Sequence, residues 1–247
     1  MYLARLLCLA AALWSCVVPS REVLFLTLDY PPYSSEAMPK KGAAVELLHL
    51  MLEGSGFEPK IKFMPWSRLL YEIAEGRADG ALLFWPEELK KVDVLTTSPI
   101  FLSRLGFYIR SDEQRSREVR LFAMHKKRVC TVRGYGYPLE LADAEVIFDE
   151  ALSDEVNLQR VAIGRCDYVA LEKAVGEYLL SQPKQLKLKA KVSWAEPAFA
   201  ELPLTFAVTR AKSDSDALLL ALESGLARLR SQQRYQQLLA EYGLDQP

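Results

Sequence analysis

The sequence predicts an α/β protein built from two successive blocks of strands and helices. Residues 63–83 follow the order strand, helix, strand, which is the order of a parallel βαβ unit. Residues 111–120 are charged and nearly devoid of apolar side chains, which indicates either a boundary or a solvated surface segment. The same alternation resumes beyond this segment. We therefore expect a second α/β block that is inserted between parts of the first.

The first block alternates strand and helix signals. Its strands are predicted at residues 22–28, 58–63, 81–85 and 101–110. Its helices are predicted at residues 42–53 and from the N-cap Ser67 to the stop at Gly76, with a short helical turn at 87–91.

The rest of the chain repeats this alternation, first in the second block and then in the carboxyl-terminal part that returns to the first. Its strands are predicted at residues 128–132, 145–148, 167–171, 186–189 and 204–209, with a loop carrying Trp194 and Pro197 before the last. Its helices are predicted at residues 153–163 and 173–181. Two more follow: one begins at a capping box formed by Ser213 and Asp216, and the last ends at Gly243.

The amino-terminal 20 residues have the pattern of a secretory signal peptide. Arg5 precedes an apolar run that the small residue Ser20 closes. The run is short for a transmembrane anchor, so we rank that alternative lower. A lipid anchor on Cys16 is also ranked lower, because the bulky Trp14 fits the lipoprotein motif poorly. We expect export, with a mature chain that starts near Arg21.

Composition excludes several classes of function. The 247 residues carry a formal net charge of −1, which does not favour nucleic acid or an anionic membrane as partner. Two histidines cannot build a histidine-rich metal site. The HExxH, P-loop, GxGxxG and GxSxG motifs are absent. We therefore expect no metal and no cofactor.

Cys130 and Cys166 are the two cysteines left after removal of a signal peptide. In an oxidising compartment they can pair, and the alternative is two separate buried thiols. The sequence does not supply the Cα separation that decides between the two.

Two aromatic features point to a ligand site. Tyr30 and Tyr33 flank two prolines on a stiff loop after the first strand, where ligands bind in open α/β sheets. We expect at least one of them to contact a ligand, the alternative being lid packing. Trp66 and Trp85 lie at strand ends, where they line a cleft or pack between lobes.

Arg68 is unusual because it lies in the first turn of a predicted helix, where the helix dipole disfavours a cation. Three interpretations of Arg68 remain open. Its position has no structural or functional consequence, it forms an ion pair with Glu72 one helical turn later, or it faces a ligand.

Motifs along most of the chain resemble one family. They are YPPY at residues 30–33, GAAVELL at 42–48, PWSRLLYEIAEGRADGAL at 65–82, TTSPIF at 96–101, CTVRG at 130–134 and GRCDYVALEK at 164–173. Together and in this order they resemble the family 3 periplasmic solute-binding proteins, the bilobal receptors of polar amino-acid ABC importers.

The resemblance implies a two-lobed periplasmic binding protein fold of type II, with each lobe a sheet flanked by helices. Lobe one would comprise residues 21–108 and 207–247, and lobe two residues 109–206, joined by crossover strands near 107–110 and 205–209. It also implies a periplasmic, monomeric and non-enzymatic protein that hands a small polar ligand to an ABC importer permease.

The resemblance also implies a set of ligand contacts. Tyr30 would stack on the ligand, with Tyr33 beside it. The turn of Gly134 and Tyr135 would offer backbone donors, and Glu172 would take an ammonium group or else only begin a helix. The family's carboxylate-binding arginine is missing at its expected place, where Lys91 is the nearest cation. Arg68, Lys91 or Arg133 would replace it, or the ligand lacks a carboxylate.

Three functions follow from these observations. The first is binding of a small polar, amino-acid-like solute for transport. The second is a dehydratase-like enzyme on the same fold, which requires a carboxylic acid in the cleft. The third is a sensor that acts on a separate membrane receptor.

Overall fold

Strands pair in one continuous path in the computed structural model, which describes residues 20–112 and 119–247. The strands are β1 (Arg21–Thr27), β2 (Phe57–Phe63), β3 (Gly80–Phe84), β4 (Val94–Thr96), β5 (Phe101–Arg110), β6 (Arg128–Val132), β7 (Ile147–Ala151), β8 (Tyr168–Glu172) and β9 (Val192–Thr209). The predicted signal peptide and the Cys16 anchor lie outside the described residues, as does most of the predicted boundary segment at 111–120.

The helices pack on this sheet. They are α1 (Ala43–Leu52), α2 (Trp66–Ala74), α3 (Pro86–Leu89), α4 (Leu139–Asp143), α5 (Asp154–Ala162), α6 (Lys173–Ser181), α7 (Leu186–Lys189), α8 (Ser215–Ser231) and α9 (Arg234–Tyr242). In the described part of the chain, no helix is both long and apolar enough to cross a membrane.

The strand order is β2-β1-β3-β9-β5-β8-β6-β7, and β4 also pairs with β9. In the first half β1 runs parallel to both β2 and β3, and in the second half β6 runs parallel to both β7 and β8. The carboxyl ends of β1 and β2 therefore form one edge, and those of β6 and β7 form another. These two edges position the candidate site.

Two long strands connect the halves. β9 pairs with β5 along residues 192–195 and 200–204, and with β3 and β4 along residues 205–209. The mixed α/β architecture confirms the predicted fold class. The lobe boundaries predicted at residues 108/109 and 206/207 stay a prediction.

Helix α1 illustrates how the helices of the first half pack. Leu47, Leu48 and Met51 are buried on one stripe of the helix, as the apolar spacing predicts. Helix α8 crosses it at Gly225, where a Cβ atom would lie 1.9 Å from the backbone oxygen of Met51. Glycine is therefore required at that crossing.

Two predicted elements of the second block are wrong. Residues 186–189 (LKLK) alternate with the period of a strand but form α7, in which the Ala190 N–H donates to the Leu186 carbonyl at 3.3 Å. The loop predicted around Trp194 and Pro197 is part of β9. Residues 192–195 and 200–204 pair with β5, and residues 196–199, which include Pro197, lie at an irregularity between these two paired stretches.

Two predicted helix starts are also wrong. Helix α2 begins at Trp66 with Pro65 as the N-cap residue, whose φ of −58° and ψ of 142° are those of extended backbone. Ser67 therefore lies inside the helix. Helix α8 has Asp214 as N-cap without a side-chain capping bond, so Ser213 and Asp216 form no capping box. The strand predicted at residues 145–148 starts later, at Ile147.

Cys130 and Cys166 form a disulfide, with their Cα atoms 5.9 Å apart. Cys130 lies on β6 and Cys166 shortly before β8, and these two strands are neighbours. The pairing that the sequence left open is therefore present.

Candidate functional site

A cavity of about 310 Å³ lies between the two strand edges described above. Residues 28–29 and 63–67 line it from the first half, and residues 132–133, 135 and 152–154 line it from the second. Every one of these segments adjoins the carboxyl end of a parallel strand, which is where open α/β sheets bind ligands.

Trp66 and Tyr135 line this cavity, while Tyr30 and Trp85 border a smaller space next to it. Tyr135, from the second half, is the centre of these four aromatic side chains. Its ring centroid lies 6.0 Å from Tyr30, 6.4 Å from Trp66 and 5.6 Å from Trp85, each in an edge-to-face arrangement. We call Tyr30, Trp66, Trp85 and Tyr135 the aromatic cluster. The sequence singled out all four, and the structure brings them together at one place; their contact with a ligand stays a prediction.

Three members of the aromatic cluster, Tyr30, Trp66 and Trp85, are buried, and Tyr135 is half-buried. The Tyr30 hydroxyl and the indole nitrogens of Trp66 and Trp85 are buried without a partner among the residues that the structure describes. Buried donors of this kind are costly unless a ligand or water satisfies them. A second space of about 10 Å³, room for roughly one water molecule, lies between these side chains.

Asp154 lies at the cavity wall at the start of α5, and its side chain is buried. Its Oδ2 accepts a hydrogen bond of 3.1 Å from the Tyr135 hydroxyl. Its Oδ1 has no partner within the described part of the chain. Burial raises the pKa of the Asp154 carboxyl to about 7, although the hydrogen bond from Tyr135 acts against this shift. The carboxyl can therefore change charge near neutral pH.

Glu88 connects the two halves behind the aromatic cluster. Its Oε2 accepts the backbone N–H of Trp85 at 2.8 Å, and its Oε1 accepts that of Gly136 at 2.9 Å. Burial raises the pKa of Glu88 to about 7 against the effect of these two hydrogen bonds. One carboxyl thus holds the start of α3 and the turn after β6 together.

Tyr33 and Glu172 do not line the main cavity. The Tyr33 hydroxyl donates to Glu172 Oε1 at 3.3 Å, and the backbone N–H groups of Val175 and Arg104 donate to the same carboxyl. Glu172 is thus the N-cap of α6, and its contact with a ligand stays a prediction. Burial raises its pKa to about 7. Both residues border a separate depression of about 190 Å³.

Arg68 and Lys91 are also absent from the cavity wall. Arg68 is largely exposed on α2, with its Nε 3.6 Å from Glu72 Oε1, so the structure shows the ion pair that the sequence allowed. Lys91 is exposed after α3. Gly134 lies beside the cavity, with a φ of +88° and Ser67 packed against it. Ligand contact by Arg68 or Lys91 stays a prediction.

Sequence reasoning missed Asp154 and Glu88. Both are acidic residues in the first turn of a helix, where the helix dipole already favours them, so no signal distinguished them from ordinary helix starts. Their burial is what sets them apart. Among the described residues, no group of three or more potential metal ligands was found.

Comparisons with known proteins agree with this architecture. The sequence profile of the bacterial extracellular solute-binding proteins, family 3, matches residues 24–245. No curated protein matches the chain significantly.

Several solved structures are similar in fold. A histidine kinase sensor domain with similarity to periplasmic binding proteins superposes with a TM-score of 0.78 at 21% identity, covering 93% of this chain and 99% of that one. The substrate-binding protein of an amino acid ABC transporter gives 0.72 at 18% identity, covering 90% and 98%. The ancestral amino acid-binding protein AncCDT-1, a precursor of cyclohexadienyl dehydratase, gives 0.71 at 17% identity, covering 91% and 95%. At such identities these similarities concern the fold alone.

Proposed function

The chain belongs to family 3 of the bacterial extracellular solute-binding proteins, and on that premise we propose that it binds a small polar, amino-acid-like solute in the periplasm and delivers it to an ABC importer. The solute binds in the cavity between the two halves. Two connecting strands, β5 and β9, act as the hinge about which the halves close on it. The closed form then presents a surface that the permease recognises.

One observation carries this proposal. The cavity is lined by both halves at the carboxyl ends of their parallel strands, so a bound solute contacts both halves at once. A ligand that binds the closed arrangement more tightly than the open one shifts the molecule toward closure. The similar fold of an amino acid ABC transporter's binding protein supports the delivery step.

A second candidate function is an enzyme of the dehydratase type. Asp154 favours it, because a buried carboxyl with a pKa near 7 is suited to transfer a proton. The fold similarity to a dehydratase precursor is consistent with it.

A thermal-shift screen with amino acids, amines and carboxylates, followed by mass analysis of each hit, tests both functions. A true ligand at 100 times its dissociation constant stabilises the folded state by about 2.7 kcal/mol. For a chain of this size the midpoint then rises by about 5–10 °C. We expect recovery of the unchanged ligand. A chemically altered ligand identifies the enzyme, and a panel without any shift contradicts the binding function.

A further inference from the structure

The charges around the cavity favour a cation. The charged residues of its lining are Asp29, Arg133 and Asp154. Arg133 is largely exposed, and its Nε lies 3.4 Å from Glu150 Oε2, a carboxylate outside the lining. The single cation of the lining is thus paired elsewhere, while the two acids are not paired with it.

Asp154 is the group with an open hydrogen-bonding position. Only 5% of its surface is exposed, and its Oδ1 meets no donor among the described residues. Leaving a buried carboxyl oxygen without a donor is costly, and an ionised carboxylate gains most from a cationic donor. A ligand that brings an N–H or a positive charge to Oδ1 removes this cost.

The aromatic cluster supplies the second half of such a site. Aromatic faces attract cations, and tryptophan and tyrosine do so most strongly. Two members of the cluster, Trp66 from the first half and Tyr135 from the second, line the cavity together with Asp154, and the Tyr135 hydroxyl donates to Oδ2 of that residue. A cation that contacts the carboxylate therefore also lies beside aromatic rings.

A carboxylate group on the ligand finds no comparable partner in this lining. The planar arginine fork is the side chain best suited to bind a carboxylate, because it donates two parallel hydrogen bonds to the two oxygens. Arg68 pairs with Glu72 outside the lining, Lys91 is exposed, and Arg133 is both exposed and paired.

We propose that the cavity selects a small organic cation, whose charged group pairs with Asp154 and lies against the aromatic cluster. Recognition depends on the positive group and does not require a carboxylate on the ligand. This inference rests on the proposed binding function and names the chemical class of its ligand.

Matched small molecules test the inference by calorimetric titration and thermal shift. Putrescine, butanediol and succinate share a four-carbon chain and differ in charge. Choline and its neutral carbon analogue dimethylbutanol share a shape. We expect at least one of the two cations to bind, and to bind at least ten-fold more tightly than its neutral analogue.

Two variants with the same loss of charge on α5 locate the effect. Asp154→Asn keeps the acceptor for Tyr135, so we expect it to fold and to weaken binding of the cationic probe at least ten-fold. Glu155→Gln, the next residue on the same helix, lies outside the lining and is expected to bind the probe as the unmodified protein does. If Asp154→Asn does not fold, the affinities of the unmodified protein for the cationic probes and for their neutral analogues test the inference instead.

The outcomes separate this inference from the proposed function. If succinate or a neutral amino acid binds more tightly than both cations, the inference is wrong and the binding function stands. If cations bind equally to the protein and to folded Asp154→Asn, the inference is likewise wrong. If no molecule of any charge binds, both proposals fail.

Discussion

The backbone N–H of Gly136 donates a hydrogen bond of 2.9 Å to the Glu88 carboxylate, and this bond joins the two halves of the chain. The other oxygen of the same carboxylate accepts the N–H of Trp85, whose ring belongs to the aromatic cluster. The contact between the halves and the position of the aromatic wall therefore depend on one buried carboxyl. The first two predictions follow from it.

Gly136→Ala should hold the two halves apart. A Cβ atom at this position would lie 2.4 Å from Glu88 Cγ and 3.0 Å from the Glu88 backbone nitrogen, so the closed approach is blocked. We expect a larger radius of gyration in solution scattering and a loss of ligand affinity of about ten-fold or more. Glu140→Ala, an exposed change nearby on α4, serves as control. An unchanged radius and affinity for Gly136→Ala would contradict the role of this contact.

Glu88→Gln should flatten part of the pH dependence of stability. The pKa of Glu88 is raised from 4.5 to about 7, so the folded state holds more protons than the unfolded state in that window. The free energy of unfolding therefore falls as pH rises from about 4.5 to 7, by at most about 3 kcal/mol for this group.

Urea unfolding at several pH values between 5 and 8 measures this effect. Asp154 and Glu172 have pKa values shifted in the same direction, so the unmodified protein shows the combined slope of all three groups. The variant should lose the contribution of Glu88 alone. The interpretation is wrong if the unmodified protein and the variant show the same slope.

The sequence predicted the architecture better than it predicted the site. Period and capping identified α6 (Lys173–Ser181) and β6 (Arg128–Val132) with their observed bounds, because these elements depend on local pattern. The prediction failed where distant pairing decides. Residues 192–195 and 200–204 are strand because β5 pairs with them, although Pro197 lies between these two stretches.

In the site too, features that depend on the local sequence could be predicted, and features that depend on contacts between distant residues could not. Tyr30, Trp66 and Trp85 could be singled out because large rings near strand ends are conspicuous in a sequence, whereas Tyr135 was expected only as part of a turn with backbone donors. The burial of Glu88 and Asp154 could not be predicted, since both lie in the first turn of a helix and differ from ordinary residues at such positions only in which side chains surround them. Arg68 stood out in the sequence because a cation is unfavourable in the first turn of a helix. In the structure it forms an ion pair with Glu72, one helical turn later.

Arg68→Ala should leave ligand affinity and stability nearly unchanged. The ion pair with Glu72 is solvent-exposed, and pairs of this kind contribute about 0.5 kcal/mol or less. We expect less than a two-fold change in the dissociation constant by calorimetry, with Asp154→Asn as the variant that does respond. A ten-fold loss of affinity in Arg68→Ala would restore this arginine to the site.

Reduction of the Cys130–Cys166 disulfide should destabilise the second half. The bond closes a loop of 36 residues between two neighbouring strands, and loop-closure entropy alone predicts about 4 kcal/mol. Urea unfolding with and without dithiothreitol measures the difference. The double variant Cys130→Ala/Cys166→Ala should be insensitive to the reductant. Equal midpoints for the reduced and oxidised protein would show that the bond contributes nothing to stability.

Cation binding should strengthen as pH rises from about 6 to 8. Asp154 must be ionised to pair with a cation, and burial places its pKa at about 7. Below that value the dissociation constant should therefore fall by up to ten-fold per pH unit, and above it level off. The groups near this carboxyl include Tyr135, Tyr137, Tyr30, Asp29 and Arg133.

Calorimetric titration of the cationic probe in buffers of different ionisation enthalpy measures both the affinity and the proton released on binding. We expect release of nearly one proton at pH 6 and of almost none at pH 8, because bound cation keeps Asp154 ionised. Asp154→Asn should show a flat profile and no release. Glu88 titrates in the same range, so Glu88→Gln must retain the pH dependence if Asp154 is its source. A flat profile in the unmodified protein would contradict pairing of the ligand with Asp154.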